Sequence, residues 1–223
     1  MINDLKLGFR TLKFAHALKS TLACGILIAV LGVAMCFMGI LGVENFMGGY
    51  FIMMTALFLV QLLWSVNASN LVQASPMKKK LQTSVPAILS TFCMTVGYVV
   101  VVLTEVIAAY IRPERICYIC VLILFTAAVM GVVMLYEAAC YKYFFLATLL
   151  FVTCFVVGYG YLMRETEQLA EFMQYGWGSF ALTTVLGLVI LWVCGALQYF
   201  ISLTIYKAPV SKHAQMATLR RQL

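Results

Sequence analysis

Few residues in this 223-residue chain are of types that do chemistry. The two histidines, His16 and His213, stand near opposite ends, so no pair has metal-ligand spacing, and no HExxH motif is present. No GxxxxGK loop followed by Ser or Thr exists to cradle a nucleotide triphosphate. Cys117 and Cys120 form a CxxC, but within an apolar run and without a βαβ context; it reads as helix packing, with redox chemistry as the alternative. Cys24, Cys36, Cys93, Cys140, Cys154 and Cys194 lie in or beside apolar runs and read as small buried hydrophobes. No serine or cysteine has a base close by. Metal, cofactor and catalytic residue are therefore not expected within this chain. The remaining candidates are acids at membrane depth. Glu105 is one, late in an apolar run: it either reaches water or pairs with Arg112 or Arg115, or lines a transport path. Glu137 and Lys142 read as structural residues of a tight turn.

The elements that hold these residues follow from composition. Hydrophobic residues make up 64% and charged residues 10% of the chain, with a mean hydropathy of +1.01. Soluble domains are about 45–50% apolar and about 25% charged. So few charges cannot cover a soluble globule of this size, which excludes a soluble enzyme, a nucleic-acid-binding domain and a disordered chain. The net charge of +7 is informative through its placement.

A helix needs about 20 apolar residues to cross the hydrocarbon. Six stretches are candidates: Thr21 to Val43, Tyr50 to Val66, Pro86 to Tyr110, Ile116 to Tyr136, Tyr143 to Leu162 and Gly178 to Tyr206. They are continuous rather than alternating, which excludes a barrel. With both termini on one side, that side carries Lys6, Arg10, Lys13, Lys19, Lys78, Lys79, Lys80, Lys142, Lys207, Lys212, Arg220 and Arg221, against Arg112, Arg115 and Arg164 opposite. Positive charge marks the cytoplasmic side, so both ends are expected inside, and the first span is expected to stay as a signal anchor. The predicted fold is an all-α integral membrane protein with six transmembrane helices. Residues 1–20 form an amphipathic segment, 21–206 the membrane domain and 207–223 a cytoplasmic tail.

The segments between spans add detail. In Asn3 to Ser20, Lys6, Arg10 and Lys13 recur at i, i+4 and i+7, with Leu5, Phe9 and Leu12 on adjacent faces. This predicts a basic helix in the membrane surface, its cations on lipid phosphates and its apolar face in the acyl boundary; a plain positive-inside anchor is the alternative. Between the second and third spans, Ser75-Pro76 reads as a helix start ahead of Lys78 to Lys80. Upstream, Leu71 and Val72 could present a small apolar knob to a partner. Arg164 to Met173, before the last span, reads as a short surface or re-entrant helix, with an unstructured loop as the alternative. Met35 and Met38, and Met130 and Met134, suit either apolar ligands or lipid packing. Gly25 with Ala29 and Ala127 with Gly131 offer close-packing faces.

This layout resembles the permease subunit of a bacterial type-2 ABC exporter: a basic amphipathic elbow, six spans with both ends inside, an Asn/Ser-Pro-Lys loop after span two and a helical segment before span six. The Ala74-Ser-Pro-Met-Lys-Lys-Lys-Leu81 stretch, the size and the short loops are most similar to permeases of the phenol-soluble modulin exporter. The resemblance implies a short coupling helix within Asn67 to Lys80, seated in a groove of a separate cytoplasmic ATPase. Leu71 and Val72 would be buried there, Asn67, Asn70 and Ser75 would cap the turn, and Ser69, Gln73, Pro76, Lys78, Lys79 and Lys80 would complete the contact. It further implies two ATPase copies carrying the ATP and Mg, a second permease copy or paralogue, and an amphipathic peptide or other hydrophobic cargo leaving the bacterial cell membrane. A non-transporting scaffold or immunity protein, and an ion-coupled secondary transporter, share the same composition.

Overall fold

The structure, a computed structural model, describes residues 2–13, 15, 18–40, 47–67, 72, 74–140, 142–171 and 176–208. Among these the chain is helical, with no strand: α1 (Ile2–Leu12), α2 (Leu18–Ile40), α3 (Met47–Asn67), α4 (Lys78–Gln82), α5 (Ser84–Ile111), α6 (Ile116–Cys140), α7 (Phe144–Glu171) and α8 (Trp177–Ile205). Four segments, Leu18–Met38, Lys78–Ile111, Pro113–Cys140 and Trp177–Ile205, are long and apolar enough to cross a membrane. At the other two expected spans the chain is also helical, through α3 and α7, where the apolar stretches among the described residues are Gly48–Phe58 and Phe144–Gly158.

Proline and glycine set the breaks. Pro86 has no N–H for the carbonyl of Gln82, and its ring crowds that carbonyl, so the helix that starts at Lys78 is interrupted at Thr83 (φ −120°, ψ −77°) before α5 resumes. The Thr83 and Ser84 hydroxyls donate back to the Lys79 and Lys80 carbonyls at 2.7 and 3.3 Å, so side chains tie the break back to α4. At the opposite end Arg112 precedes Pro113 and leaves the helical region, and one 3-10 turn, Pro113–Arg115, hands over to α6. Gly176 opens α8 at φ +149°, a backbone region that side chains rarely adopt.

α6 is apolar on every side and is the central helix, covered by α8, α7, α5 and α3. Its buried face joins Met53, Met94, Tyr98, Ile123, Ala127, Met130, Met134 and Leu191 in one core. The α8 side of that core interleaves small residues with Leu191 and Gln198. Thr183, Gly187, Leu191, Gly195, Gln198 and Ser202, three or four residues apart, form one buried stripe. A methyl added to Gly131 would stand 2.7 Å from Cys194 Sγ, and one on Gly187 would stand 2.6 Å from Tyr98 Cζ. Gly195 likewise faces Thr91 with no room for a side chain. The expected Ala127 and Gly131 face is thus a helix contact, whereas nothing lies within 4 Å of a methyl placed on Gly25.

Large apolar side chains cover the exterior: Ile26, Leu27 and Val30 on α2, Phe145 on α7 and Trp192 on α8 are all more than 60% exposed. Four long apolar helices with such a surface fit a membrane protein. Two cysteines expected to be buried, Cys24 and Cys154, lie on this outer surface, where hydrocarbon can replace protein as their apolar surroundings. Residues 164–171, expected as a separate surface helix, instead continue α7 without a break.

Candidate functional site

Two places concentrate polar chemistry. The first is the end of the bundle where α1, α4 and the C-terminus of α8 meet. A second apolar cluster of Leu12, Ala15, Leu62, Leu63, Leu81, Val85 and Leu89 docks α1 onto α3 and α5. Gly8 lets the backbone of α1 approach closely: a methyl there would sit 3.3 Å from Val85. Phe9 meets Phe92 edge to face at 6.4 Å. The apolar face of this helix, expected in the acyl boundary, is therefore partly covered by the chain's own helices. Lys6, Arg10 and Lys13 remain exposed. Asp4 pairs with Lys80 at 2.6 Å, and that ammonium holds the Asp4 carboxyl below its ordinary range.

The same end gathers further cations from distant sequence. Lys79 lies 5.7 Å from the Tyr206 ring centroid and Lys207 lies 6.0 Å from it. Lys142 is buried, donating to the carbonyls of Tyr206 (3.3 Å) and Ala208. Burial, helped by the charge of nearby Lys78, pushes its amine down to about 8. The folded protein thus releases this proton at lower pH than the unfolded chain, whose lysines titrate near 10.4. Stability from this site is therefore expected to rise between about pH 8 and about pH 10.4 and to be flat below. Lys142→Met is expected to remove that rise, read as the melting midpoint across the window.

The sequence-expected coupling residues fall partly here. Ser75 accepts the amide of Met77 at 3.1 Å, so it does open the turn into α4. Lys78 is half-buried, and Pro76, Lys79 and Lys80 are exposed. Val72 packs against the Leu12 and Leu63 cluster and so serves the chain's own interior. Asn67 closes α3, its side chain lying outside the described residues together with Ser69, Asn70, Leu71 and Gln73. Gln82, beside them on α4, is buried with neither amide atom hydrogen-bonded among the described residues.

The second place is interior. Glu137 does not sit in a turn with Lys142, as the sequence suggested; it lies in the last turn of α6, 1% exposed. Ser90 of α5 donates to its Oε2 at 2.5 Å and Gln198 Nε2 of α8 donates to the same oxygen at 3.4 Å. Glu137 Oε1 and Gln198 Oε1 have no partner among the described residues. Three helices thus converge on one carboxyl. The signal was present in the sequence: Ser90, followed by Thr91, and the single Glu137 and Gln198 are polar residues in apolar runs, each within about three helical turns of a basic inner end. Spacing along one helix could not reveal it, because each residue belongs to a different helix.

Glu105, the acid singled out from sequence, is buried near the opposite end of α5. Among the described residues no hydrogen bond or ion pair holds it, and the expected partner Arg112 does not reach it. No group of three or more His, Cys, Asp or Glu among the described residues could hold a metal. Cys117 and Cys120 lie one turn apart on α6, with Cys120 in the apolar core.

Compared with known proteins, the chain matches no family model, no curated protein and no solved structure.

Proposed function

We propose that the chain is the permease subunit of a bacterial ATP-driven exporter, with six membrane spans, both termini in the cytoplasm, and a separate ATPase engaging the segment between α3 and α4. The observation that carries this reading is the junction of α1 with α4 and α5. A basic amphipathic helix, clamped by Asp4–Lys80 and the Leu63, Val85 and Leu89 cluster, fixes the start of a membrane helix directly after the candidate coupling segment. Force applied at residues 67–77 would then be transmitted to α5 as a unit rather than absorbed by a loose loop. Lysines of α4, of the α6–α7 turn and of the end of α8 share that face, which agrees with a cytoplasmic side. By resemblance, a second copy or paralogue completes the path, and the cargo is an amphipathic peptide or other hydrophobic molecule.

The test is co-expression with the product of the neighbouring reading frame, followed by pulldown and vanadate-sensitive ATP hydrolysis. Leu71→Asp is expected to weaken the complex on the order of thirtyfold, the loss of one buried interface anchor. The chain itself should stay monodisperse. Val72→Asp is the contrasting variant, since that residue faces the internal cluster and should lower the melting midpoint. Unchanged ATPase capture by Leu71→Asp would overturn the coupling assignment.

A second reading, an ion-coupled transporter, gains from Glu137, because it adds a second buried acid to Glu105. Cargo movement by the chain alone in vesicles, driven by an ion gradient without nucleotide, would establish it.

A further inference from the structure

We infer that Glu137 binds a proton between α6 and α8, and that this proton holds α8 in its seat. The inference depends on neither transport reading. A carboxyl and a primary amide form a closed ring when the acid is neutral: amide N–H donates to one acid oxygen, and the acid O–H donates to the amide oxygen. One leg of that ring is present, Gln198 Nε2 to Glu137 Oε2 at 3.4 Å. The two atoms of the other leg, Glu137 Oε1 and Gln198 Oε1, are the two left without partners. Both are acceptors as they stand. One proton on Oε1 turns the first into a donor, the kind of group the second needs.

Among the described residues the surroundings supply no charge to keep the group ionised. From α5 come Ser90 and Cys93, from α6 itself Tyr136 and Cys140, and from α8 the uncharged Gln198, with Cys194 one turn away. α3 carries no charged residue, and those of α7, Arg164 to Glu171, lie at its far end. Lys142, the nearest lysine in sequence, donates to the carbonyls of Tyr206 and Ala208. The short bond from Ser90, at 2.5 Å, would also suit an ionised acceptor, but one charge-assisted bond does not repay the desolvation of a whole ion. Losing the proton would set two unpaired acceptors against each other. That falls on a seam where Gly131, Gly187 and Gly195 leave no slack, so α8 responds by leaving its seat rather than by bending around the charge.

The test uses the full chain in detergent or in lipid vesicles. Infrared difference spectra at neutral pH should contain a carboxylic-acid carbonyl band that shifts in deuterated water, survives Glu105→Gln and is lost in Glu137→Gln. The native state would keep a proton that unfolded chains release above about pH 4.3, so the unfolding constant should rise about tenfold per pH unit above that point until the acid ionises. Glu137→Gln, whose amide can close the same ring, should stay folded and lose this pH dependence. Gln198→Leu should lower the melting midpoint at every pH. Absence of the acid band from the folded wild-type chain would overturn the inference, as would aggregation of Glu137→Gln while Glu105→Gln folds. Stabilisation by sodium ions at fixed pH that disappears in Glu137→Gln would also overturn it, in favour of a metal-cation site.

Discussion

The Gly187→Leu chain is expected not to be recovered in folded form, and Gly187→Ala to fold with a melting midpoint lower by roughly 2–12 °C. The cause is steric. A single methyl at 187 meets the Tyr98 hydroxyl, stands 2.6 Å from Tyr98 Cζ and 3.2 Å from Ala127 Cβ. Tyr98 is fully buried and donates to the Thr184 carbonyl at 3.3 Å, so its ring cannot swing aside without losing that bond. Overpacking of this kind costs about 1–3 kcal/mol, and about 2–4 °C of midpoint accompany each kcal/mol in a chain of this size. Tyr98→Phe removes the atom in closest conflict, so the pair Tyr98→Phe with Gly187→Ala should show a coupling of about 0.5–3 kcal/mol in a double-mutant cycle. Gly160→Ala is the opposite case. That glycine is exposed in α7 with nothing within 4 Å, and the substitution should stabilise by about 0.5–1 kcal/mol through helix propensity alone. Thermal unfolding followed by size-exclusion chromatography separates these outcomes.

Leu63→Ala and Leu89→Ala are expected to cost about 2–5 kcal/mol each and to release α1 from the bundle. Both leucines are fully buried in the cluster that joins α1, α3, α4 and α5. Trypsin, cutting at Lys6, Arg10 and Lys13, should cleave these variants faster than the parent chain, because a docked helix does not enter a protease site. Asp4→Asn should cleave at nearly the parental rate. Its partner Lys80 is 47% exposed, and a surface ion pair contributes about 0–1 kcal/mol. That contribution is present above the ordinary aspartate range, near pH 3.9, and is lost as pH falls through the lower value that the folded state imposes. Equal cleavage of Leu89→Ala and parent would mean that the clamp is electrostatic rather than apolar.

What could be read beforehand was periodicity and placement. Unbroken apolar runs located the helices, the i, i+4, i+7 cations located α1, and Ser75-Pro76 located the turn into α4. These are local properties, and a sequence states them directly. The interior site is not local. Glu137 sits five residues before Lys142, a spacing that suggests one shared turn, although the two face different neighbours: one turns inward to Ser90 and Gln198, the other to the end of α8. The use of Val72 and Leu12 by the chain's own core was equally hidden. An amphipathic helix offers the same stripe to lipid, to a partner or to its own bundle, and only tertiary packing decides among them. The break at Thr83 needed both Pro86 and the helix already begun at Lys78.

The central position of α6 also bears on biosynthesis. Chains emerge from the ribosome N-terminus first, so α5 and α6, joined by a single 3-10 turn, are complete as a hairpin well before α8 has been made. Until then Gly131 and Glu137 lack the cover that Cys194 and Gln198 of α8 supply. α8 closes the seam when it arrives, and quality control that senses an unshielded acid would thereby sense an unfinished chain.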